Sequence, residues 1–191
     1  MRRLTALILA LMLSLAPLSA LAEDHDTVIE TLTGLVQRAL ERYNSLTYEE
    51  NDGEPYFSLV FESNNGRMGD LYAYVDVYYY GILMHTCYDS VVPEDRMDEI
   101  VSFINLVNAD LFGGKYYLRS DTGDIYYEYY LMMDFTDLNS LDKDSEETLY
   151  EIFSDMTVEA DYNAEYFAEI IGGVSAKHAY AMYLADLELG W

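Results

Sequence analysis

Between Leu71 and Tyr78 the chain alternates without a slip. Leu71, Ala73, Val75 and Val77 fall on one side; Tyr72, Tyr74, Asp76 and Tyr78 fall on the other. A period of two puts the two sets on opposite faces of a strand, the aliphatic set being the natural core face. The pattern has neighbours. Phe57, Leu59 and Phe61 alternate with Tyr56, Ser58, Val60 and Glu62, and Asn64-Asn65-Gly66 after them reads as a tight turn. Tyr80 to Tyr88 reads as another strand after a bend near Gly81. Gly113-Gly114 opens a second hairpin, in which Tyr116 and Leu118 face one way and Asp121-Thr122-Gly123 turns the chain. Ile125, Tyr127, Tyr129, Leu131 and Met133 then alternate with Tyr126, Glu128, Tyr130 and Met132. Strands grouped together and joined by hairpin turns indicate an α+β fold rather than a parallel α/β sheet.

Helical spacing brackets these strands. Val28, Leu32, Leu35, Val36, Ala39, Leu40 and Tyr43 recur at three and four residues, predicting a helix over 26–43 with Asp26 at its start. Pro93 suits a helix's first turn, and Glu94, Asp95, Asp98 and Glu99 suit its positive end. The apolar set there is Met97, Ile100, Val101, Ile104, Val107 and Leu111. From Asp144 to Ile171 the set is Leu149, Ile152, Phe153, Met156, Ala160, Phe167 and Ile170. Gly172-Gly173 breaks that helix, and Ser175 caps a last one through Ala179, Met182, Tyr183, Ala185 and Leu189. The expectation is an antiparallel sheet of about five strands with helices packed mainly on one face, in the order helix, strands, helix, hairpin, helices. No internal repeat or long linker divides it, so residues 23–191 are read as a single domain.

The first 22 residues are read apart from that domain. Arg2 and Arg3 precede a 13-residue apolar stretch from Leu4 to Ala16, followed by Pro17 and Ser19-Ala20-Leu21-Ala22. These are the parts of a secretory signal peptide, 1–22, cleaved near Ala22. The stretch is short of the roughly 20 residues a bilayer span needs, so no stable membrane anchor is expected after cleavage. The product is expected outside the cytoplasm: periplasmic, on the cell surface or extracellular. Cys87 is the one cysteine, so no intrachain disulfide supports the fold despite export.

Charge narrows the partners. The 191 residues carry 35 Asp and Glu against 10 Lys and Arg. Cleavage would remove two of the ten cations. Such a surface repels phosphate backbones, which excludes nucleic acid as a partner, and it disfavours anionic lipid. A basic partner is its natural complement.

Tyrosine is the other excess: 20 against seven Phe and one Trp, 15 of them between Tyr43 and Tyr130. With the aliphatic residues turned to the core, Tyr72, Tyr74, Tyr78 and Tyr80 fall on the opposite face of the sheet. Tyr126 and Tyr130 of the second hairpin join them. These six are the candidate binding residues, because a tyrosine offers rigid contact area with a hydrogen-bonding tip. The competing explanation is that tyrosine is simply a good strand former. A partner could be a protein or peptide, a second copy of the chain, or a glycan.

Catalytic and metal-binding patterns are poor. His85 and Cys87, two apart on a strand, share a face and could pair as base and nucleophile, although a small buried thiol is the more ordinary explanation. From Asp142, the sixth and twelfth positions are Glu147 and Phe153, where a calcium loop needs Gly and Glu. His25, His85 and His178 lie too far apart for a metal motif. There is no Gly-x-Ser-x-Gly elbow or phosphate-binding glycine loop. With 35 acids, carboxylate pairs carry no signal for glycoside cleavage. No cofactor, metal or catalytic residue is assigned.

The order of residues resembles one known family. Asn105-Leu106-Val107-Asn108-Ala109-Asp110-Leu111, then Gly114-Lys115-Tyr116, Leu118, Asp121-Thr122-Gly123-Asp124-Ile125 and Tyr127 resemble the centre of the YbjN family. Phe57 to Arg67 resembles its first hairpin, and Gly172-Gly173-Val174-Ser175 its C-terminal end. The resemblance implies a type III secretion chaperone-like fold, a curved antiparallel sheet with helices mainly on one face. It also implies a regulatory role and supplies no catalytic residues. The signal peptide and the load of Tyr and acid depart from the family pattern. The reading is an exported, non-catalytic protein-binding module, chaperone-like or regulatory; the alternative is a glycan-binding or glycan-cleaving surface protein using tyrosine platforms and acids.

Overall fold

The computed structural model describes residues 25–51, 54–63, 66–111, 113–132 and 143–189. The expected signal peptide lies outside the described residues, as do Asn64-Asn65, Met133 and Asp142. Helix α1 (His25–Leu40) leads into β1 (Thr47–Asn51), β2 (Glu54–Phe61), β3 (Leu71–Tyr78) and β4 (Gly81–Tyr88). A single 3-10 turn, Glu94–Arg96, precedes α2 (Met97–Val107). Then come β5 (Lys115–Leu118), β6 (Ile125–Met132), α3 (Lys143–Ile171) and α4 (Ala176–Leu189). The strands form one antiparallel sheet in the order β1-β2-β3-β4-β6-β5. The second hairpin docks with its later strand inward, leaving β1 and β5 at the two edges.

The sheet has six strands rather than about five. The extra one is β1, whose Thr-Tyr-Glu-Glu-Asn carries no apolar alternation. An edge strand can be this polar because β2 alone pairs with it. Tyr48 faces Phe57 at 5.2 Å between ring centroids and is still 47% exposed.

One face of the sheet makes the core. Phe57, Leu59, Leu71, Ala73, Val75, Val77, Ile82, Met84 and Ile125 are sealed from solvent, together with the buried stripes of α1 and α3. Helices α1, α2 and α3 lie against the sheet, and α4 packs on α2 and α3. The stripe of α2 differs from the expected one. Val101 is exposed, whereas Phe103 is fully buried in edge-to-face contact with Phe167, 5.4 Å between centroids. With α3 and α4 on its inner side, α2 turns 100, 103, 104 and 107 inward, a narrower helical face than the apolar letters imply.

Polar bonds fix the corners. Asn108, just past α2, donates through Nδ2 to the Tyr116 carbonyl (2.9 Å) and accepts from the Tyr116 amide (2.7 Å). Edge strand β5 thereby gains on its outer side what a neighbouring strand would supply. Arg96 donates to the carbonyls of Ile170 and Val174, both at 2.8 Å, across the Gly172-Gly173 corner. The amide at the start of α4, Ala176, donates to the Glu99 carboxylate at 2.7 Å. Arg38, Arg42 and Arg67 each reach a glutamate of α3: Glu146, Glu147 and Glu169. Among the described residues no helix is long and apolar enough to cross a membrane.

Candidate functional site

The face of the sheet turned away from the helices is laid out by the strand register. One row crosses all six strands: Thr47, Ser58, Tyr74, His85, Glu128 and Lys115. A second runs Val60, Tyr72, Cys87, Tyr126 and Tyr117. A third runs Glu49, Tyr56, Asp76, Leu83 and Tyr130. The six tyrosines expected on this side are all brought to it. Tyr72, Tyr74, Tyr78 and Tyr126 are half-buried; Tyr130 is exposed. Tyr80 reaches the face by a different route. It sits with Tyr79 in the two-residue turn between β3 and β4, not in a strand, and it is 54% exposed.

The rings hold one another. Tyr78 stacks on Tyr80 at 5.5 Å between centroids with planes 6° apart, and Tyr80 leans on Tyr130 at 6.2 Å. Tyr74 stacks on His85 at 5.1 Å, His85 contacts Tyr126 at 5.9 Å, and Tyr126 stacks on Tyr117 at 5.2 Å. These separations suit aromatic pairs. Burial raises the hydroxyl pKa values of Tyr74 and Tyr78 above the ordinary tyrosine value. Tyr117 is pushed up to about 12, first by burial and then by the charge of Glu128. The phenols therefore remain neutral hydrogen-bond donors at neutral pH.

Acids lie among the rings. Tyr56 donates its hydroxyl proton to Glu49. His85 Nδ1 lies 3.3 Å from Asp76 Oδ2, and Lys115 Nζ lies 3.3 Å from Glu128 Oε2. Between β2, β3 and β4, the side chains of Glu54, Tyr56, Tyr74, Asp76, Tyr78 and His85 surround an open hollow of about 230 Å³. Tyr56, Tyr117 and Glu54 are not among the sequence candidates, and His85 is weighed there only as a partner for Cys87. Alternation places Tyr56 on this face, but only the register puts it opposite Asp76.

Cys87 and His85 do share this face, but His85 makes its ring contacts with other residues. His85 is turned to Asp76 and stacked on Tyr74. Burial pushes the Cys87 thiol up to about 11, with the charge of Asp124 adding to it. A thiol held there is a poor nucleophile at neutral pH. Cys87 is half-buried on the tyrosine face and takes no part in the core.

Burial also raises the Glu159 carboxyl, but Glu159 is on α3, on the helix side of the sheet. It lines a separate recess of about 260 Å³ with Tyr127, Tyr129 and Met156. A larger recess, about 520 Å³, lies between α1 and the β1–β2 edge, bounded by residues that include Ile29, Gln37, Tyr48 and Pro55. Sequence reading had no signal for it, since it exists only where α1 overhangs an edge strand. Among the described residues no group of three or more His, Cys, Asp or Glu is placed to hold a metal ion. The acids at the start of α3, Asp144 and Glu146, stand at the positive end of its dipole.

The comparison with known families agrees with the resemblance read from residues 105–127. Residues 82–143 match the model of the YbjN family, described as a putative bacterial sensory transduction regulator. The match runs from β4 through α2, β5 and β6 to the first residue of α3, about a third of the chain. No curated protein matches the chain.

Proposed function

We propose that this protein is an exported, non-catalytic binding module that engages a protein or peptide through the tyrosine face of its sheet. It acts as a chaperone-like or regulatory component. The observation that carries the reading is the division of the sheet: the described helices crowd one face, and the other presents partly exposed, mutually stacked tyrosines among acids. Tyrosine is enriched at recognition surfaces because it gives area and a polar tip with few rotors. The family description of the 82–143 segment, a sensory transduction regulator, supports a regulatory rather than a metabolic role.

Charge supports a basic partner. Arg38, Arg42 and Arg67 are paired with α3, Arg96 with the α3–α4 corner, Arg119 with Asp121 and Lys115 with Glu128. Most of the cations among the described residues are thus engaged, while acids remain exposed to solvent. Glycan cleavage finds less support. It calls for a pair of carboxyls at one site, one of them with a raised pKa. The carboxyl raised by burial, Glu159, lies on the helix side of the sheet, away from the six tyrosines of the open face.

The test is cross-linked co-purification of the tagged protein from its host's envelope and medium, with Tyr72→Ser plus Tyr126→Ser as the comparison. Both residues lie in one row and are half-buried, so the pair alters the surface rather than the core. A basic exported protein captured by the parent and lost with the double variant supports the reading. Equal capture by both chains refutes it. A change in native mass without a foreign protein assigns the face to a homodimer.

A further inference from the structure

We propose that the hollow between β2, β3 and β4 is a side-chain pocket for an arginine of the bound polypeptide. This rests on the reading of the tyrosine face as the binding surface, and it names what that face recognises. Asp76 stands between Tyr74 and Tyr78 along β3 and opposite Tyr56 on β2. Glu54 and His85 complete the lining of the hollow.

Size decides against a free small molecule. At about 230 Å³ the hollow falls below the roughly 300–1,000 Å³ of sites that enclose drug-sized ligands, and it suits one long side chain. Charge decides the sign. Two carboxylates, Glu54 and Asp76, line it. The lysine of this face, Lys115, stands on the far edge strand against Glu128. Shape favours guanidinium over ammonium. A planar cation can lie on a tyrosine ring while its edge donates to a carboxylate, and a point charge cannot do both as well. Asp76 Oδ2 lies 3.3 Å from His85 Nδ1, and its other oxygen is not part of that contact. Tyr78 stacks on Tyr80, and Tyr74 stacks on His85, so the tyrosines on either side of Asp76 are each packed against another ring.

The test is titration of the isotopically labelled protein, followed by amide NMR, with the peptide acetyl-Gly-Ser-Arg-Ser-Gly-amide. The Lys and citrulline versions serve as probes, citrulline keeping the shape without the charge. The expected result is shifts centred on residues 54–58, 74–78 and 83–85, with the arginine peptide binding about tenfold tighter than citrulline. Asp76→Asn and, separately, Glu54→Gln should each weaken the arginine peptide and leave the citrulline peptide unchanged. Glu54 lies at a strand end, so its variant guards against a folding effect at Asp76. Equal affinity for arginine and citrulline, or shifts centred on Tyr117 and Tyr126, overturns the proposal. If partner capture still depends on Tyr72 and Tyr126 in that case, the arginine pocket is wrong and the binding face stands. Should neither dependence appear, both fail.

Discussion

Replacing Asn108 with Ala tests how this fold keeps its short edge strand. The Asn108 side chain makes two hydrogen bonds to the Tyr116 backbone, at 2.9 and 2.7 Å; the Tyr116 ring is buried, and its hydroxyl donates to the Glu159 carbonyl at 3.1 Å. A net hydrogen bond contributes about 1 kcal/mol, and leaving a part-buried backbone group unpaired adds to the loss. The expected cost is therefore about 2–3 kcal/mol. For a domain of this size it amounts to a fall of several degrees, roughly 5–10 °C, in Tm. The assay is urea denaturation followed by circular dichroism, paired with hydrogen exchange at the amides of 115–118. Those amides should lose protection before the rest of the sheet does. Asn105→Ala is the control, because Asn105 is exposed and its loss should change stability by less than about 0.5 kcal/mol. If the two variants are equal, or if Asn108→Ala leaves β5 amides protected, the side-chain clamp does not hold the strand.

Gly81→Ala should cost more than 3 kcal/mol or abolish folding, since a Cβ there would lie 2.3 Å from the Leu131 carbonyl oxygen at φ 154°; near-parental stability in denaturation would refute this. Thr86 is fully buried and its hydroxyl has no partner among the described residues, so Thr86→Val should raise stability by about 1 kcal/mol. A loss of that size would mean the hydroxyl is satisfied. Burial lifts Tyr43, Tyr117 and Tyr183 to about 12, and it raises Tyr88 and Tyr116 well above the ordinary value near 10. Folding thus favours the neutral phenols. Their contribution is whole below pH 10 and is lost as pH rises through about 12. Tyrosinate absorbance should rise in two stages, the second coinciding with loss of circular dichroism; a single stage near pH 10 with the fold intact would contradict it. Finally, Cys87 should alkylate with iodoacetamide on the order of 100-fold more slowly at pH 8 when folded than in urea, given a thiol near 11. Equal rates would remove the case for an inert thiol.

The strands that alternate cleanly were legible because one of their faces is buried. In β3 the aliphatic and tyrosine sets seen in the sequence are the two faces of the sheet. Strand β1 was not legible, since an edge strand can be polar on both sides and leaves no period to detect. The β3–β4 turn is hard to place from the sequence for a related reason. Tyr79-Tyr80 carries none of the Gly or Asn that usually marks a two-residue turn, so Tyr80 read as the start of a strand. In α2 the letters could not choose between Val101 and Phe103; the positions of α3 and α4 did. Tyrosine count alone misleads too. Tyr88, Tyr116, Tyr127 and Tyr166 are buried in the core, with Tyr88 donating to the Ala160 carbonyl at 2.6 Å. The six face tyrosines were readable residue by residue, but the hollow was not. It needs Tyr56 opposite Asp76 and Tyr74 opposite His85, and register is settled by three-dimensional pairing.

The stacked rings have a consequence for the kinetics of whatever binds there. A side chain that must be frozen on association costs about 0.5–1.5 kcal/mol each, which weakens many flexible surfaces. Tyr78 is braced by Tyr80, Tyr74 by His85, and Tyr126 by Tyr117 before any partner arrives. A surface already set in this way resembles a matured antibody site more than a loop that closes on its target. Encounter should then be governed by diffusion and by the attraction of opposite charges. The association rate would fall steeply with added salt, while the bound lifetime, set by the rigid rings, would change little.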